Sequence, residues 1–260
     1  MVSTGYKGID GLLSGGLEKG KLYALGCKAD QVREIVTANL AERIASHDSM
    51  TLLASYPGSH ESFEDLIMSK LTGIQISTIR SLKERDMTQF EATLIGGKLK
   101  SYPWKTLVIN NKNTRITDIA DLIDDGNYDV VIIASIHEFA FSVGEVGSSL
   151  AERTEIVCKV LRRVAKEKGI AIIVTTWLSI NDGVPEEEWS WLYEHNVVTN
   201  GIFKIVDTAI TALVNKDGKL CIHVDKLNGK MYPEIPAIYM TYKADTASCR
   251  EDNPDATSIL

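Results

Sequence analysis

Residues 27 to 34, Cys-Lys-Ala-Asp-Gln-Val-Arg-Glu, stand where a phosphate-binding loop would sit. They follow an apolar run, Lys21 to Gly26, and precede Ile35, Val36, Leu40 and Ile44, which recur at helical spacing from about Gln31 onward. A strand that feeds a helix through a tight loop is the frame of the motif G-x-x-x-x-G-K-[ST]. Its glycine N–H groups and Lys cradle phosphates while its Ser or Thr hydroxyl holds magnesium. Here the frame is present and its chemistry is not. Cys27 and Val32 occupy the glycine positions, Arg33 the Lys and Glu34 the hydroxyl. A β-branched Val is strained where the loop needs glycine geometry, and Glu34 sets a carboxylate beside the phosphates' own charge. Arg33 brings a planar fork where a compact ammonium is wanted.

The rest of the chain must position that corner. At 260 residues and 44% hydrophobic, it has the apolar material for a sizeable core in one large domain or two small ones. A net charge of −7 argues against a broadly basic nucleic-acid surface and leaves only local basic loops. Cys27, Cys158, Cys221 and Cys249 lack C-x-x-C spacing, so reduced thiols are expected rather than a zinc site or a disulfide frame. No signal peptide opens the sequence and no apolar run reaches membrane-spanning length, which points to a soluble cytoplasmic protein.

In chain order, Lys21 to Gly26, Met50 to Ser55, Thr106 to Asn110, Asp129 to Ser135 and residues 170–176 read as buried strands. Between them the pattern predicts a helix over Phe63 to Thr72 with Ser62 as N-cap, and polar helical sequence over 74–101 broken at Gly96-Gly97. It further predicts a helix capped at Thr117 and closed by Gly126, and a long helix over Leu150 to Lys168 ended by Gly169. Trp177 to Asn200 reads as a polar loop, and the segments FKIVDTAITALVN, LCIHVDKLNG and AIYMTY read as a final antiparallel group. The expected fold class is therefore α/β, a mainly parallel sheet flanked by helices with an antiparallel C-terminal extension. Residues 1–243 form the core and 244–260 a polar tail.

The order of these pieces resembles the C-terminal, RecA-like motor domain of DnaB-family replicative helicases, nearly end to end. STGYKGIDGLLSGGLEKGKLYAL is similar to the family's opening segment into the first strand, and LTGIQISTIRSL to the stretch after its second helix. TLVINNKNTRITDIADLI resembles its third strand and helix, and SLAERTEIVCKVLRRVAKEKGIAIIVTTWLS the helix and strand after Walker B. VDTAITALVN and HVDKLNGKMYPEIPAIYMTY resemble its last hairpins. The resemblance implies a RecA-like P-loop fold, and position by position it implies that the catalytic residues are gone. Pro57 falls near the family's water-activating Glu and cannot act as a base. Ala134 replaces the Walker B Asp and cannot ligate magnesium. His137 matches the Gln that senses the γ-phosphate, and it also reads as a hydrogen-bonded structural histidine. The segment that supplies an arginine finger reads Lys226, Leu227, Asn228, Gly229 and holds no Arg.

The degenerate nucleotide pocket thus comprises Cys27, Lys28, Val32, Arg33, Glu34, Pro57, Ala134 and His137, with no metal site, no cofactor and no catalytic residue expected. The implied function is a pseudo-ATPase, a DnaB-like protein of replication or recombination, of bacteriophage source and so in the host cytoplasm. It would act as a homo-oligomer or by binding a RecA-fold or replication partner. Arg33 could meet Asp225 across a subunit edge beside Lys226, giving an interface independent of nucleotide. Two alternatives stay open: a divergent ATPase or helicase in which Lys28 or Arg33 still binds nucleotide, and a hydrolysis-independent nucleic-acid binder. The second draws on Lys98, Lys100 and Lys105 interleaved with Tyr102 and Trp104. Arg162 and Arg163 read as paired or solvated surface charges, and the Trp177, Trp189, Trp191, Tyr193 segment as packing or a partner surface.

Overall fold

The computed structural model describes residues 1–57, 62–82, 85–100, 105–112, 115–141, 149–178, 197–231 and 237–252. Its first half alternates helix and strand: α1 (Lys7–Leu12), β1 (Leu22–Cys27), α2 (Asp30–Ala45), β2 (Thr51–Ala54), α3 (Phe63–Thr72), α4 (Ile76–Ser81), α5 (Gln89–Leu99), β3 (Leu107–Asn110) and α6 (Ile116–Asp125). There follow β4 (Val130–Ile133), α7 (Ile136–Phe141), α8 (Leu150–Lys168), β5 (Ala171–Trp177) and α9 (Val197–Ile205). The chain closes with β6 (Thr208–Val214), β7 (Lys219–Leu227), β8 (Lys230–Met231), β9 (Ile238–Lys243) and β10 (Ser248–Glu251).

The strands form one sheet in the order β10-β9-β7-β6-β1-β5-β4-β2-β3, with β8 paired to β7. From β6 to β3 every pairing is parallel, and from β6 outward to β10 every pairing is antiparallel. Parallel strands are covered on both faces, so their residues are continuously apolar rather than alternating. β1, β2 and β4 are buried at every position. One face of the sheet packs Tyr23, Leu25, Leu53 and Ile173 against α2 and α3, and the other packs Leu22, Ala24, Ile133 and Val174 against α6 to α9.

Helix boundaries follow local chemistry. Ser62 caps α3 by accepting from Asp65 N, Ser149 and Glu152 form a capping box on α8, and Gly73 and Gly169 close these two helices at φ 73° and 63°. Several expectations need correction. Gly96 and Gly97 lie inside α5 without a break, and α6 starts at Ile116 from Arg115, leaving Thr117 within the first turn. Phe203 to Ile205 end a helix instead of opening a strand, and β6 pairs parallel with β1. Residues 248–251, expected in a polar tail, form the edge strand β10, and Ala247 and Cys249 are buried in the core. Trp177 ends β5, whereas Trp189, Trp191, Tyr193, Tyr102 and Trp104 lie outside the described residues.

α2 ties the two ends of the chain together. It runs beneath the sheet with twelve of sixteen residues buried, several of them polar. Thr37 donates to Arg33 O, and Asn39 bridges Ile35 O, Ala247 O and Cys249 N, which fastens the helix to the edge strand.

Candidate functional site

In an open parallel sheet, ligands bind in the crevice beyond the carboxyl ends of the strands. β1, β4 and β5 end together there, so Cys27, Ala134 and Trp177 all arrive at one corner. Cys27 is fully buried, and burial pushes its thiol up to about 12. Only Lys28 and Ala29 separate β1 from α2, whose N-cap is Ala29 with no side-chain cap. The remaining residues of the expected loop are wound into the helix: Arg33 N donates to Ala29 O at 3.0 Å as an ordinary helical bond. An open nest of N–H groups is thereby replaced by a helical turn. Lys28 is exposed, and Val32 is half-buried against the core.

Arg33 turns back along α2. It is 6% exposed and sits 2.6 Å from Asp30 Oδ1, an ion contact without the alignment of a hydrogen bond. Arg33 and Glu34, with Ala134, Ser135, Glu138 and Thr175, line a cleft of about 240 Å3. That is below the usual range of small-molecule pockets, roughly 300–1,000 Å3. Burial pushes the Glu34 carboxyl up to about 7, against the pull of Arg33 and with help from Asp30 and Glu138. Ala134 presents only a methyl group at the end of β4. The next residue, Ser135, is held at φ 60° with its N–H donated to Thr175 Oγ1 at 2.9 Å.

His137 points away from phosphate chemistry. It is 3% exposed, its Nε2 lies 2.5 Å from Thr176 Oγ1, and its ring packs on Trp177 at 5.1 Å. Burial, then Arg33, pulls its pKa down to about 4, so the ring is neutral. Pro57 is a half-buried turn residue beside Tyr56, whose ring meets Phe139 edge-on.

The residues expected at a subunit edge are committed within the chain. Asp225 is 1% exposed and accepts from Thr211 Oγ1 at 2.6 Å, and burial pushes its carboxyl up to about 7. Lys226 Nζ donates to Phe203 O at 2.7 Å and Val206 O at 2.8 Å, closing the end of α9. Burial pulls its pKa down, and Arg162 adds to the effect. The expected contact of Arg33 with Asp225 of a neighbour is therefore corrected: both side chains are buried inside one subunit. The Asn228-Gly229 pair, at φ 49° and 82°, is the turn of the β7–β8 hairpin, which explains its presence without any finger. Arg162 and Arg163 are surface pairs, with Asp207 and Glu167.

Sequence reasoning missed Glu138, Ser135 and Thr175, which line the cleft, and the capping role of Lys226. Glu138 alone left a signal, one residue beyond His137. The corner does not fit a magnesium nucleotide: its loop is helical, Glu34 stands for the hydroxyl and Ala134 for the carboxylate. Among the described residues no group of three or more His, Cys, Asp or Glu side chains could hold a metal ion, and no helix is long and apolar enough to cross a membrane.

No family model and no curated protein sequence matches the chain. Solved structures do match it in shape. The ATPase domain of a DnaB-like helicase superposes with a TM-score of 0.75 at 12% identity, covering 97% of this chain and 91% of that one. A DnaB-like replicative helicase, described together with its interactions with primase, superposes with a TM-score of 0.74 at 12% identity. That match covers 96% of this chain and 61% of the helicase, so this chain spans under two thirds of that protein. The chain has the RecA-like fold of DnaB-like helicase ATPase domains, over nearly its whole length.

Proposed function

We propose that the chain is a DnaB-like protein of DNA replication or recombination that does not hydrolyse nucleotide and acts through assembly or a protein partner. The observation that carries this reading is the β1–α2 corner, where the phosphate loop is wound into helix and Arg33 is paired with Asp30. The replication context rests on the likeness to the helicase ATPase domain and to the helicase whose interactions with primase are described. Partner choices consistent with it are a second copy of the chain or another RecA-fold subunit. Such contacts would not run through Arg33, Asp225 or Lys226, which are already held internally.

Steady-state ATP and GTP turnover with magnesium tests the reading, and the expected rate is that of the buffer blank. The enzyme alternative has one specific support, the Glu138 carboxylate beside Glu34 at the strand ends. Turnover that disappears in Glu138→Gln would establish that alternative. Light scattering with and without ATP tests assembly, and any oligomer is expected to be insensitive to nucleotide.

A further inference from the structure

A second cleft, of about 540 Å3, opens far along α2 from the nucleotide corner, between the ends of α2 and α3 and the edge strand β10. Arg43, Lys70 and Arg250 line it, against a single carboxylate, Glu42. In a chain of net charge −7 this local excess of cations needs a reason. Arg43 and Lys70 stand in the last turns of their helices, where a cation also answers the partial negative charge of the helix end. That explanation does not reach Arg250, which is exposed on a strand. Nor does it account for the burial of Lys70, whose side chain is 11% exposed and ion-paired to Glu42 at 8%. A charge serving only a helix dipole would stay in water and avoid the desolvation that a buried pair incurs.

The charges in the cleft are unequally engaged. Glu42 is fully occupied, taking Lys70 on one oxygen and the Ser46 hydroxyl on the other. Arg43 lies with its guanidinium 5.3 Å from the Tyr6 ring centroid, and its Nε is buried without a hydrogen-bond partner. The flat ring fixes the plane of the fork and leaves its edge available. Two guanidinium groups beside a neutralised carboxylate therefore present donors without acceptors, in a cleft of small-molecule size.

We propose that this cleft binds a phosphate monoester, seated between Arg43 and Arg250 with Lys70 behind it. Paired planar forks match the several terminal oxygens of a phosphate better than the two of a carboxylate. The group could belong to a free phosphate compound or to the 5′ end of a nucleic-acid strand.

Calorimetry or NMR titration of the whole protein with inorganic phosphate, and with a short oligothymidylate carrying a 5′-phosphate or a 5′-hydroxyl, tests the site. One phosphate per chain is expected to bind, at least tenfold more weakly in Arg250→Glu and in Arg43→Gln. Arg33→Ala, at the other corner, is expected to bind as the wild type does. Circular dichroism and a partial rescue by Arg250→Lys guard against a folding artefact. Preference for the 5′-phosphorylated strand over free phosphate would assign the source to strand ends, and equal binding would assign it to free compounds. Absence of phosphate binding, binding unchanged in both arginine variants, or binding lost in Arg33→Ala would overturn the proposal.

Discussion

Arg33 and Lys226 are both cations buried to within a tenth of their surface, at opposite margins of the sheet's carboxyl end, yet they are held by different kinds of partner. The partner of Arg33 is Asp30, one helical turn away and 63% exposed. Lys226 instead completes the backbone of α9 through two carbonyls. A side-chain pair open to water is worth little, whereas a buried polar group left without its partner forfeits its full hydration. One corner has therefore lost its chemistry without becoming indispensable, while the other has been converted into structure.

The largest effect expected from this difference is on stability. Lys226→Ala should destabilise the chain by about 3 kcal/mol, because the α9 carbonyls lose their donors and the aliphatic stem leaves a gap. Arg33→Ala should lose about 1 kcal/mol or less. Urea unfolding of both variants measures the contrast, and equal losses would break it.

The next effect separates the corners by pH. Asp225 has a folded pKa raised to about 7 from an ordinary 3.8, so between those values the folded state holds a proton that the unfolded state has released. Its contribution to stability is thus greatest below about 3.8 and declines as pH rises towards 7. Asp225→Asn removes the decline and should stabilise the protein at pH 8 by roughly 2 kcal/mol. Glu34→Gln should act with the same sign over 4.5 to 7, by about 1 kcal/mol, since Arg33 already favours its charged form. His137 works in the opposite sense: its pKa falls to about 4, so its contribution is lost as pH drops below 6.5. Denaturant midpoints measured across pH 4 to 8 would resolve the three, and a D225N curve parallel to the wild type would contradict the assignment.

These contrasts also mark what could be read from the residues. The parallel strands were legible because burial on both faces writes itself as unbroken apolar runs, as in residues 130–133. The caps at Ser62 and Gly169 were legible because their chemistry is local. β10 was not, since a short edge strand tied down by Asn39 of a distant helix carries no periodicity. Val32 and Ala134 told what the corner lacks, because a missing glycine or carboxylate is visible residue by residue. The burial of Asp225 and Lys226 was hidden, as charges inside a fold look the same in sequence as charges at an interface.

The smallest expected effect lies at Ser135 and bears on why the nucleotide corner keeps its shape. Its φ of 60° places an L-residue in left-handed backbone, at a strand end facing the cleft, with its N–H fixed by Thr175. A non-glycine residue there costs about 1 kcal/mol, and such strain persists where the surroundings impose it. Ser135→Gly relieves that cost but also gives the unfolded chain more freedom, which offsets part of the gain. A net stabilisation of about 0.5 kcal/mol remains, a rise in melting temperature of about 1–2 °C for a chain of this size. The N–H to Thr175 is backbone and survives the change, so the turn itself should stay in place. If the glycine variant is instead less stable than the wild type, the buried hydroxyl contributes more than the strained backbone takes away. The β4 corner would then be held by side-chain chemistry, as the Lys226 corner is, and the distinction between the two margins would narrow.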